Sequence, residues 1–312
     1  MSFLYFLESI RNPVLDFFFS TITYCGDEII FMALGMIFFW CIDKFKGYYL
    51  LCVGFVGTVI NQFLKMMFRI PRPWDKDLNF TIVESAREAA TGYSFPSGHT
   101  QTSVGLFGGL ARTNKNLAVR IVSIALCVLV PLSRLYLGVH TPLDVGVSII
   151  IALALVFGLA PVFKKAEKSP KVMFILMGVL TAIMIAFLLF VMLYKFPADT
   201  DPHNLTSARK NAFTLTGCLI GLIIVYTVDL LWTKFDTKAV WWAQIIKIVV
   251  GIGLVMAVKE GMRAPLEALL PDYADTWARM IRYFLMVIVG GVLWPMVFRF
   301  FPKPKNKKGG KV

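Results

Sequence analysis

The sequence predicts an all-α, polytopic membrane helix bundle of about nine spans. Hydrophobic residues make up 57% of the 312 residues and charged residues only 16%, which is far more apolar than a soluble domain. Uncharged apolar runs also recur along most of the chain, and several approach the length of about 20 residues that a helix needs to cross a bilayer.

The net charge of +13 is interpreted as the excess of basic residues that membrane proteins carry in their cytoplasmic loops. No basic stripe with interleaved aromatic residues suggests nucleic-acid binding. The five cysteines lie mostly in apolar runs, without the spacing of metal ligands or of a disulfide framework. We therefore expect no metal ion, no cofactor and no nucleic-acid partner.

The N-terminal segment, residues 1–26, is amphipathic. Its apolar clusters are separated by Glu8, Arg11 and Asp16, and Pro13 interrupts the run. This pattern predicts a helix at the membrane surface, with insertion of part of it left open. Because the first basic residue is Arg11, we expect no cleavable signal peptide.

Nine apolar segments follow, and a basic turn at 164–171 is the clearest boundary between them. The predicted spans are 29–42, 47–69, 97–112, one that ends near Ser133, 140–163, 172–194, 211–228, 238–258 and 277–300. The predicted divisions are an interfacial segment at 1–26, a core bundle at 27–165, additional transmembrane helices of unknown role at 171–300 and a basic tail at 301–312.

The charges of the loops predict the orientation of this bundle. Loops on one side are basic and include Lys44, Lys115, Lys164 and the tail, whereas most loop acids lie on the other side. The positive-inside rule then places the C-terminal tail in the cytoplasm and the N-terminus outside. We expect a multi-pass protein of the plasma membrane.

The segment 94–100, Ser-Phe-Pro-Ser-Gly-His-Thr, predicts an anion-binding helix start. Ser97 is a plausible N-cap, and Pro96 and Gly98 suit a tight turn into the helix. Free backbone N–H groups and the positive end of the helix dipole attract anions there, and His99 adds a proton donor. A capped membrane helix with an incidental histidine explains the segment alone about equally well.

The predicted topology collects further polar residues at the same membrane face. A single cation there is more simply a side chain that snorkels to the interface. Several forked or basic donors converging with two histidines favour a phosphate site. The residues collected are Lys65, Arg72, Ser97, Gly98, His99, Arg134, His140 and Asp144.

His140 and Asp144 lie four residues apart, so a helix presents them on one face. The carboxylate can then accept from one ring nitrogen and leave the other free as a nucleophile. The same segment also fits a helix start, with Thr141 as the cap and Pro142 at the first position. The two interpretations are compatible.

Three segments together resemble one family closely. They are Lys65-Met-Met-Phe-Arg-Ile-Pro-Arg72-Pro73, Pro96-Ser97-Gly98-His99 and Ser133-Arg134-Leu-Tyr-Leu-Gly-Val-His140-Thr-Pro-Leu-Asp144. In order and spacing they resemble the signatures of the type 2 phosphatidic acid phosphatase superfamily. The resemblance covers about residues 13–163 and not 171–312. It departs at the N-terminus, where many bacterial lipid members have a full first span.

The resemblance implies a metal-independent phosphoryl transfer in two steps. His140 would attack phosphorus while Asp144 holds its ring. His99 would protonate the leaving oxygen and then help to activate water. The phosphoryl oxygens would be bound by Lys65, Arg72, Ser97, Gly98 and Arg134, and 27–165 would form the phosphatase core.

These observations predict an integral membrane phosphatase for a lipid phosphate or pyrophosphate, with undecaprenyl pyrophosphate favoured. Phosphatidate, phosphatidylglycerol phosphate and sphingosine-type phosphates are close alternatives. A lipid phosphotransferase, a transporter or flippase, and a phosphatase for a soluble sugar phosphate also stay open, whereas haloperoxidase activity is disfavoured. The lipid substrate is the expected partner, and the oligomeric state is not predicted.

Other polar residues receive simpler interpretations. Asn61 lies one helical turn before Lys65 and either orients it or only packs. Asp229 and Lys247 are intramembrane charges, which are costly unless paired or hydrated. We expect them to form a structural ion pair, with a substrate path as the alternative. His203 is expected at the surface.

Overall fold

A computed structural model describes residues 1–304, and these residues are helical without a β-strand. The prediction of an all-α polytopic membrane bundle is confirmed. The chain divides into two compact units. The first contains residues 1–35 and 48–212, and the second contains 36–47 and the chain from 213 onward.

The helices of the first unit begin where local sequence signals predict. Asn12 caps its helix by accepting from Val14 N and Leu15 N, with Pro13 at the first position, so Pro13 starts a helix as well as ending the preceding one. The helices are α1 (Ser2–Ser9), α2 (Pro13–Thr23), α3 (Glu28–Ile37), α4 (Lys44–Phe68), α5 (Pro73–Lys76), α6 (Gly98–Thr113), α7 (Leu117–Tyr136), α8 (Pro142–Ala166), α9 (Pro170–Leu193) and α10 (Pro202–Val228).

Helices α3, α4 and α10 begin or continue in the second unit, which also contains four helices of its own. These are α11 (Trp241–Gly261), α12 (Arg263–Leu269), α13 (Arg279–Ile288) and α14 (Trp294–Met296). Its core holds two indoles whose N–H groups are satisfied by backbone carbonyls. Trp40 donates to Gly290 O at 2.8 Å and Trp294 donates to Lys247 O at 3.0 Å.

The number of helices that can cross a membrane is close to the prediction. Among residues 1–304, seven helices are long and apolar enough, or eight if the bent pair Pro13–Gly26 and Glu28–Ile42 counts as one span. The predicted span 97–112 is the helix α6, which has 16 residues and is not among them. The predicted first span, 29–42, forms the second arm of the bent pair.

The predicted interfacial segment at 1–26 contains two helices, α1 and α2, and α1 has apolar side chains on both its buried and its exposed faces. Leu4 and Leu7 are buried, whereas Phe3 and Phe6 are exposed. Nearby, Leu15 and Phe19 of α2 pack on a buried cluster at the end of α7 that includes Tyr136 and Leu137. This packing fixes α2 against the end of α7 from which Arg134 projects.

The expected ion pair between Asp229 and Lys247 is wrong. Asp229 pairs with Lys44 instead, at 2.7 Å, and also accepts from Thr233 and from the Phe235 N–H. Lys247 is fully buried and donates to the carbonyls of Asp236 and Thr237. Two separate networks therefore satisfy the two charges, because a contact across the fold replaces the pairing that proximity in the sequence suggested.

The start of the predicted basic tail lies against the second unit. Lys303 pairs with Asp236 at 3.1 Å, and Pro302 O accepts from the Val240 N–H. Residues 305–312 of that predicted tail lie outside the described residues.

Candidate active site

A cavity of about 490 Å³ lies in the first unit, where the predicted polar residues meet. Six of the eight predicted site residues line it: Lys65, Arg72, Gly98, His99, Arg134 and His140. The remaining two, Ser97 and Asp144, are buried behind them. The first unit therefore brings together residues from α4, α6, α7 and the start of α8.

The start of α6 has the predicted cap. Ser97 Oγ accepts from the Thr100 N–H at 3.4 Å, and the Ser97 N–H donates to Asp144 O at 3.3 Å. Asn61 donates to Pro96 O at 3.3 Å, so it supports this turn rather than orienting Lys65. The Ser97 hydroxyl is fully buried, which leaves Gly98 as the part of the turn that faces the cavity.

His140 is held between a carboxylate and a guanidinium. Its Nδ1 lies 3.5 Å from Asp144 Oδ2, and its Nε2 lies 3.0 Å from Arg72 Nη1. Because a guanidinium can only donate, Nε2 is the acceptor and the ring proton belongs on Nδ1, facing Asp144. Burial, followed by the charges of Arg72, Arg134 and Lys65, holds the pKa of His140 well below its ordinary value. The Arg72 contact therefore indicates a neutral imidazole whose Nε2 lone pair points toward the guanidinium.

Asp144 performs the capping and the orienting functions with the same carboxylate. Its Oδ2 accepts from the Thr141 N–H at 2.7 Å, and Thr141 Oγ1 accepts from the Asp144 N–H, which completes a capping box. Ser94, which is fully buried, donates to the same oxygen at 2.6 Å. The predicted cap is confirmed, and the cap geometry brings the carboxylate to His140.

Loop carbonyls hold two of the cavity's cations. Arg72 donates to Thr91 O at 2.7 Å, to Gly92 O at 3.0 Å and to Val139 O at 2.8 Å. Lys65 donates to Tyr93 O at 2.5 Å. Carbonyls satisfy the donors without neutralising the charge, so the cavity keeps a positive wall that favours an anion.

Arg134 adds the third cation of the wall. Its Nη1 donates to the Thr23 hydroxyl at 2.8 Å, whereas its buried Nε has no hydrogen-bond partner within residues 1–304. Over the same residues, no group of three or more His, Cys, Asp or Glu side chains is arranged to hold a metal ion. The arginine and lysine side chains that line the described cavity are Lys65, Arg72 and Arg134.

The sequence analysis missed a carboxylate beside His99. Asp27 Oδ1 lies 2.9 Å from His99 Nε2, and Asp27 also lines the cavity. The N–H direction is off the line between the two atoms, so this is a close contact that is not fully aligned as a hydrogen bond. The available signal was the pair Gly26-Asp27 between two apolar runs.

The first half of α10 contributes a polar wall that the sequence analysis also missed. Asn204, Ser207 and Asn211 line the cavity, and the Asp201 N–H donates to Tyr93 Oη at 3.3 Å. The predicted span begins at residue 211, whereas the helix begins at Pro202. The signal was the spacing of the three polar residues by three and four positions, which places them on one helical face. His203 is exposed, as expected.

Two family models match the chain. The model described as the PAP2 superfamily matches residues 45–168, and the model described as PAP2 superfamily phosphatase, transmembrane extension matches residues 213–306. The first match contains all three signature segments. Asp27 and the polar wall of α10 lie outside both matches.

Three curated relatives are named as phosphatases. A probable sphingosine-1-phosphate phosphatase of Dictyostelium discoideum is 32% identical over 47% of this chain and 38% of its own length. The undecaprenyl-diphosphatase BcrC of Bacillus subtilis is 28% identical over 47% of this chain and 74% of its own length. A dihydrosphingosine 1-phosphate phosphatase of Schizosaccharomyces pombe is 29% identical, with 39% of its length covered.

The chain thus spans well under half the length of two of these relatives and about three quarters of the third. No solved structure is significantly similar to it.

Proposed function

Because the chain belongs to the PAP2 superfamily of membrane lipid phosphatases, we propose that it hydrolyses a lipid phosphate or pyrophosphate monoester through a phosphohistidine. The observation that carries the proposal is the state of His140. This residue is neutral, its Nε2 lone pair lies in a cavity with three cations, and its other nitrogen faces Asp144. A nucleophile and an anion site thus share one cavity.

In the first step, Arg72 Nη1 exchanges its contact with His140 Nε2 for a phosphoryl oxygen, which frees the Nε2 lone pair. Nε2 then attacks phosphorus as the bond from phosphorus to the leaving oxygen breaks, and Asp144 stabilises the positive charge that develops on the ring. His99 gives its proton to the leaving oxygen. In the second step water attacks phosphorus, His99 takes the proton, and the P–N bond breaks to release phosphate and neutral His140.

Lys65, Arg72 and Arg134 stabilise the charge that builds on the equatorial oxygens in both steps, and the Gly98 N–H at the start of α6 contributes a backbone donor. Ser97, which was predicted to bind phosphate, instead supports this turn from behind as the cap of α6. No step uses a metal ion or cofactor, since the cations supply the electrostatic stabilisation. Turnover should therefore persist in a chelator, and vanadate should inhibit as an analogue of the pentacoordinate phosphoryl group.

We place the site at the outer face of the plasma membrane and the C-terminus in the cytoplasm. The distribution of basic and acidic loops supports this orientation. Cysteine labelling from outside intact cells tests it, with one introduced cysteine in the 71–94 loop and one in the tail. Labelling of the tail but not of the loop would reverse the orientation and exclude substrates of the outer leaflet.

Undecaprenyl pyrophosphate remains the leading substrate, because the relative with the largest covered share is an undecaprenyl-diphosphatase and an outward-facing site suits recycling of a carrier lipid. A sphingoid-base phosphate is the second candidate. It is favoured by the uncharged amides and hydroxyl of Asn204, Ser207 and Asn211, which can bind a headgroup with an amine and a hydroxyl without adding charge.

The deciding experiment measures phosphate release by the purified protein over a panel of lipid phosphates. The panel contains undecaprenyl pyrophosphate, sphingosine 1-phosphate, phosphatidate and phosphatidylglycerol phosphate. His140→Ala is the inactive control, and labelled donor lipid separates hydrolysis from transfer to a second lipid. Release of phosphate by His140→Ala at the wild-type rate would remove the phosphohistidine, and loss of all activity in chelator, restored by a divalent ion, would remove the metal-independent mechanism.

A further inference from the structure

The break between α2 and α3 brings a carboxylate to the cavity. A 3-10 turn, Tyr24–Gly26, ends α2, and the two helical segments are bent by 51° at this point. Asp27 closes the turn by donating its N–H to Tyr24 O, and its carbonyl accepts from the Phe31 N–H in the first turn of α3. Its backbone is therefore fixed on both sides of the break.

This turn packs directly against the residue proposed as the general acid. A Cβ atom on Gly26 would lie 2.9 Å from the backbone oxygen of His99, so only glycine allows so close an approach. Asp27 Oδ1 lies 2.9 Å from His99 Nε2, which is buried. At the other end of the turn, Thr23 accepts from Arg134. The turn is therefore in contact with two residues that line the cavity, His99 and Arg134.

The charges around His99 explain what a carboxylate contributes there. The charged or titratable groups that line the same cavity as His99 are Lys65, Arg72, Arg134 and His140, together with the carboxylates of Asp27 and Glu28. The cations disfavour a charged imidazolium, which a general acid must carry before it donates. A carboxylate in direct contact opposes this effect and holds the ring in one orientation.

We propose that Asp27 is the positioning residue for His99. This inference rests on the proposed function of the cavity. Asp27 accepts the Nε2–H of His99, so that the proton transferred to the leaving oxygen comes from Nδ1. After the transfer, Nε2 keeps its proton and Nδ1 has the lone pair that removes a proton from water. Each histidine of the cavity is then paired with its own carboxylate, Asp144 for His140 and Asp27 for His99.

Two substitutions that each remove one negative charge test this pairing. Asp27→Asn keeps the size of the side chain, and Glu84→Gln is the matched control, because Glu84 pairs with Arg87 in the exposed loop. With an alkyl phosphate, Asp27→Asn should reduce kcat by about 10- to 100-fold, within the range of general acid–base catalysis. With nitrophenyl phosphate, whose leaving group needs little protonation, the loss should be clearly smaller. Glu84→Gln should match the wild type on both.

The pH profile separates positioning from a structural contribution. Loss of the carboxylate lowers the pKa of His99, so the protonated ring that donates to the leaving oxygen is lost at a lower pH. The alkaline limb of the pH profile of kcat therefore moves to lower pH. Asp27→Glu keeps the charge and should restore the limb at least in part. Adding Asp27→Asn to His99→Ala should cause little further loss. Equal losses on the two phosphates, an unmoved limb or additive losses in the double variant would each refute the pairing.

A readout without turnover keeps the test independent of the proposed function. The chain contains only three histidines, so ring-nitrogen chemical shifts can be assigned with single variants of each. Titration should show a lower pKa for His99 in Asp27→Asn than in the wild type or Glu84→Gln. An unchanged His99 titration refutes the pairing even in an inactive preparation. A wild type that hydrolyses no phosphate while the His99 titration shifts would instead refute the proposed function and leave the pairing established.

Discussion

Replacement of Arg72 by lysine tests whether the guanidinium geometry, rather than positive charge alone, organises the cavity. The Arg72 side chain has four contacts, to Thr91 O, Gly92 O, Val139 O and His140 Nε2. These partners surround a planar fork that uses all three of its nitrogens. A lysine ammonium keeps the charge, but it is a compact donor that cannot reach partners on both sides of such a fork.

The size of the effect follows from the contacts that are lost. If the ammonium retains Val139 O and the cavity side, it abandons Thr91 O and Gly92 O. Hydrogen bonds that involve a charged group contribute about 1.5–3 kcal/mol each, so two of them contribute about 3–6 kcal/mol. Part of this is recovered by relaxation of the loop, and we expect about 3–4 kcal/mol in the transition state. At about 1.4 kcal/mol per factor of ten, kcat/KM should fall by roughly 100- to 1000-fold.

Arg69→Lys is the matched control for this substitution. Arg69 lies three residues earlier and donates only to Met66 O and Met67 O of its own helix end. It does not line the cavity, and its left-handed backbone, with φ of 48°, is occupied by a non-glycine side chain in both variants, so we expect a change in kcat/KM of less than about threefold. Both variants are compared by phosphate release in one detergent, with monodispersity and thermal unfolding measured alongside.

Arg72→Lys should fold normally but stabilise the transition state less well than the wild type. Retention of more than about a third of the wild-type kcat/KM, a change below about 0.7 kcal/mol, would mean that charge alone suffices. An equal loss of kcat/KM for Arg69→Lys would mean that any arginine-to-lysine substitution between the end of α4 and Arg72 lowers activity. Loss of monodispersity in Arg72→Lys alone would show that the fork chiefly holds the loop 91–93 in place.

Three further outcomes are expected. His140→Ala should be inactive on every phosphate, whereas His99→Ala should lose about 100- to 10,000-fold on an alkyl phosphate and clearly less on nitrophenyl phosphate; equal losses for His99→Ala would contradict its assignment as leaving-group acid. Replacing both Asn204 and Asn211 by alanine should change the ratio of kcat/KM for sphingosine 1-phosphate to that for undecaprenyl pyrophosphate by about tenfold, which is equivalent to one hydrogen bond. An unchanged ratio would show that α10 does not contact the headgroup. Arg134 helps to hold the pKa of His140 down, so the nucleophile stays neutral below the ordinary histidine pKa of about 6.5. Arg134→Gln should therefore move the acidic limb of the pH profile of kcat/KM to higher pH, measured on one substrate for both proteins. An acidic limb at the wild-type pH would refute this coupling.

The residues that could be predicted from the sequence are those whose arrangement is set by short-range geometry. Ser97 and Thr141 cap helices because a side-chain oxygen reaches an N–H three residues later, and such contacts depend on local sequence. Asp144 follows His140 by four residues, so the helix itself brings the two together. The signature segments therefore contained the three cations and the two histidines that line the cavity.

The missed residues depend on contacts between distant segments. Asp27 meets His99 only because α2 and α3 are bent at the turn between them, and an apolar run with a polar interruption does not specify what the interruption will touch. Asn204 lies before the predicted span 211–228 and Asn211 is its first residue, and the sequence alone does not show that both side chains line a cavity. The Asp229 partner was wrong for the same reason, since Lys44 is 185 residues away.

The cavity also shows why the structural and catalytic interpretations of the third signature need not compete. Asp144 Oδ2 accepts from the Thr141 N–H and from Ser94, so the cap holds the carboxylate in position before any substrate arrives. The same oxygen lies 3.5 Å from His140 Nδ1, close enough to shorten into a hydrogen bond when the ring becomes positive. Helix initiation thereby fixes the position of a group that responds to charge on its neighbour, and this is the preorganisation on which transition-state stabilisation depends. Removing the cap would therefore disturb the nucleophile even though the cap itself never contacts the substrate.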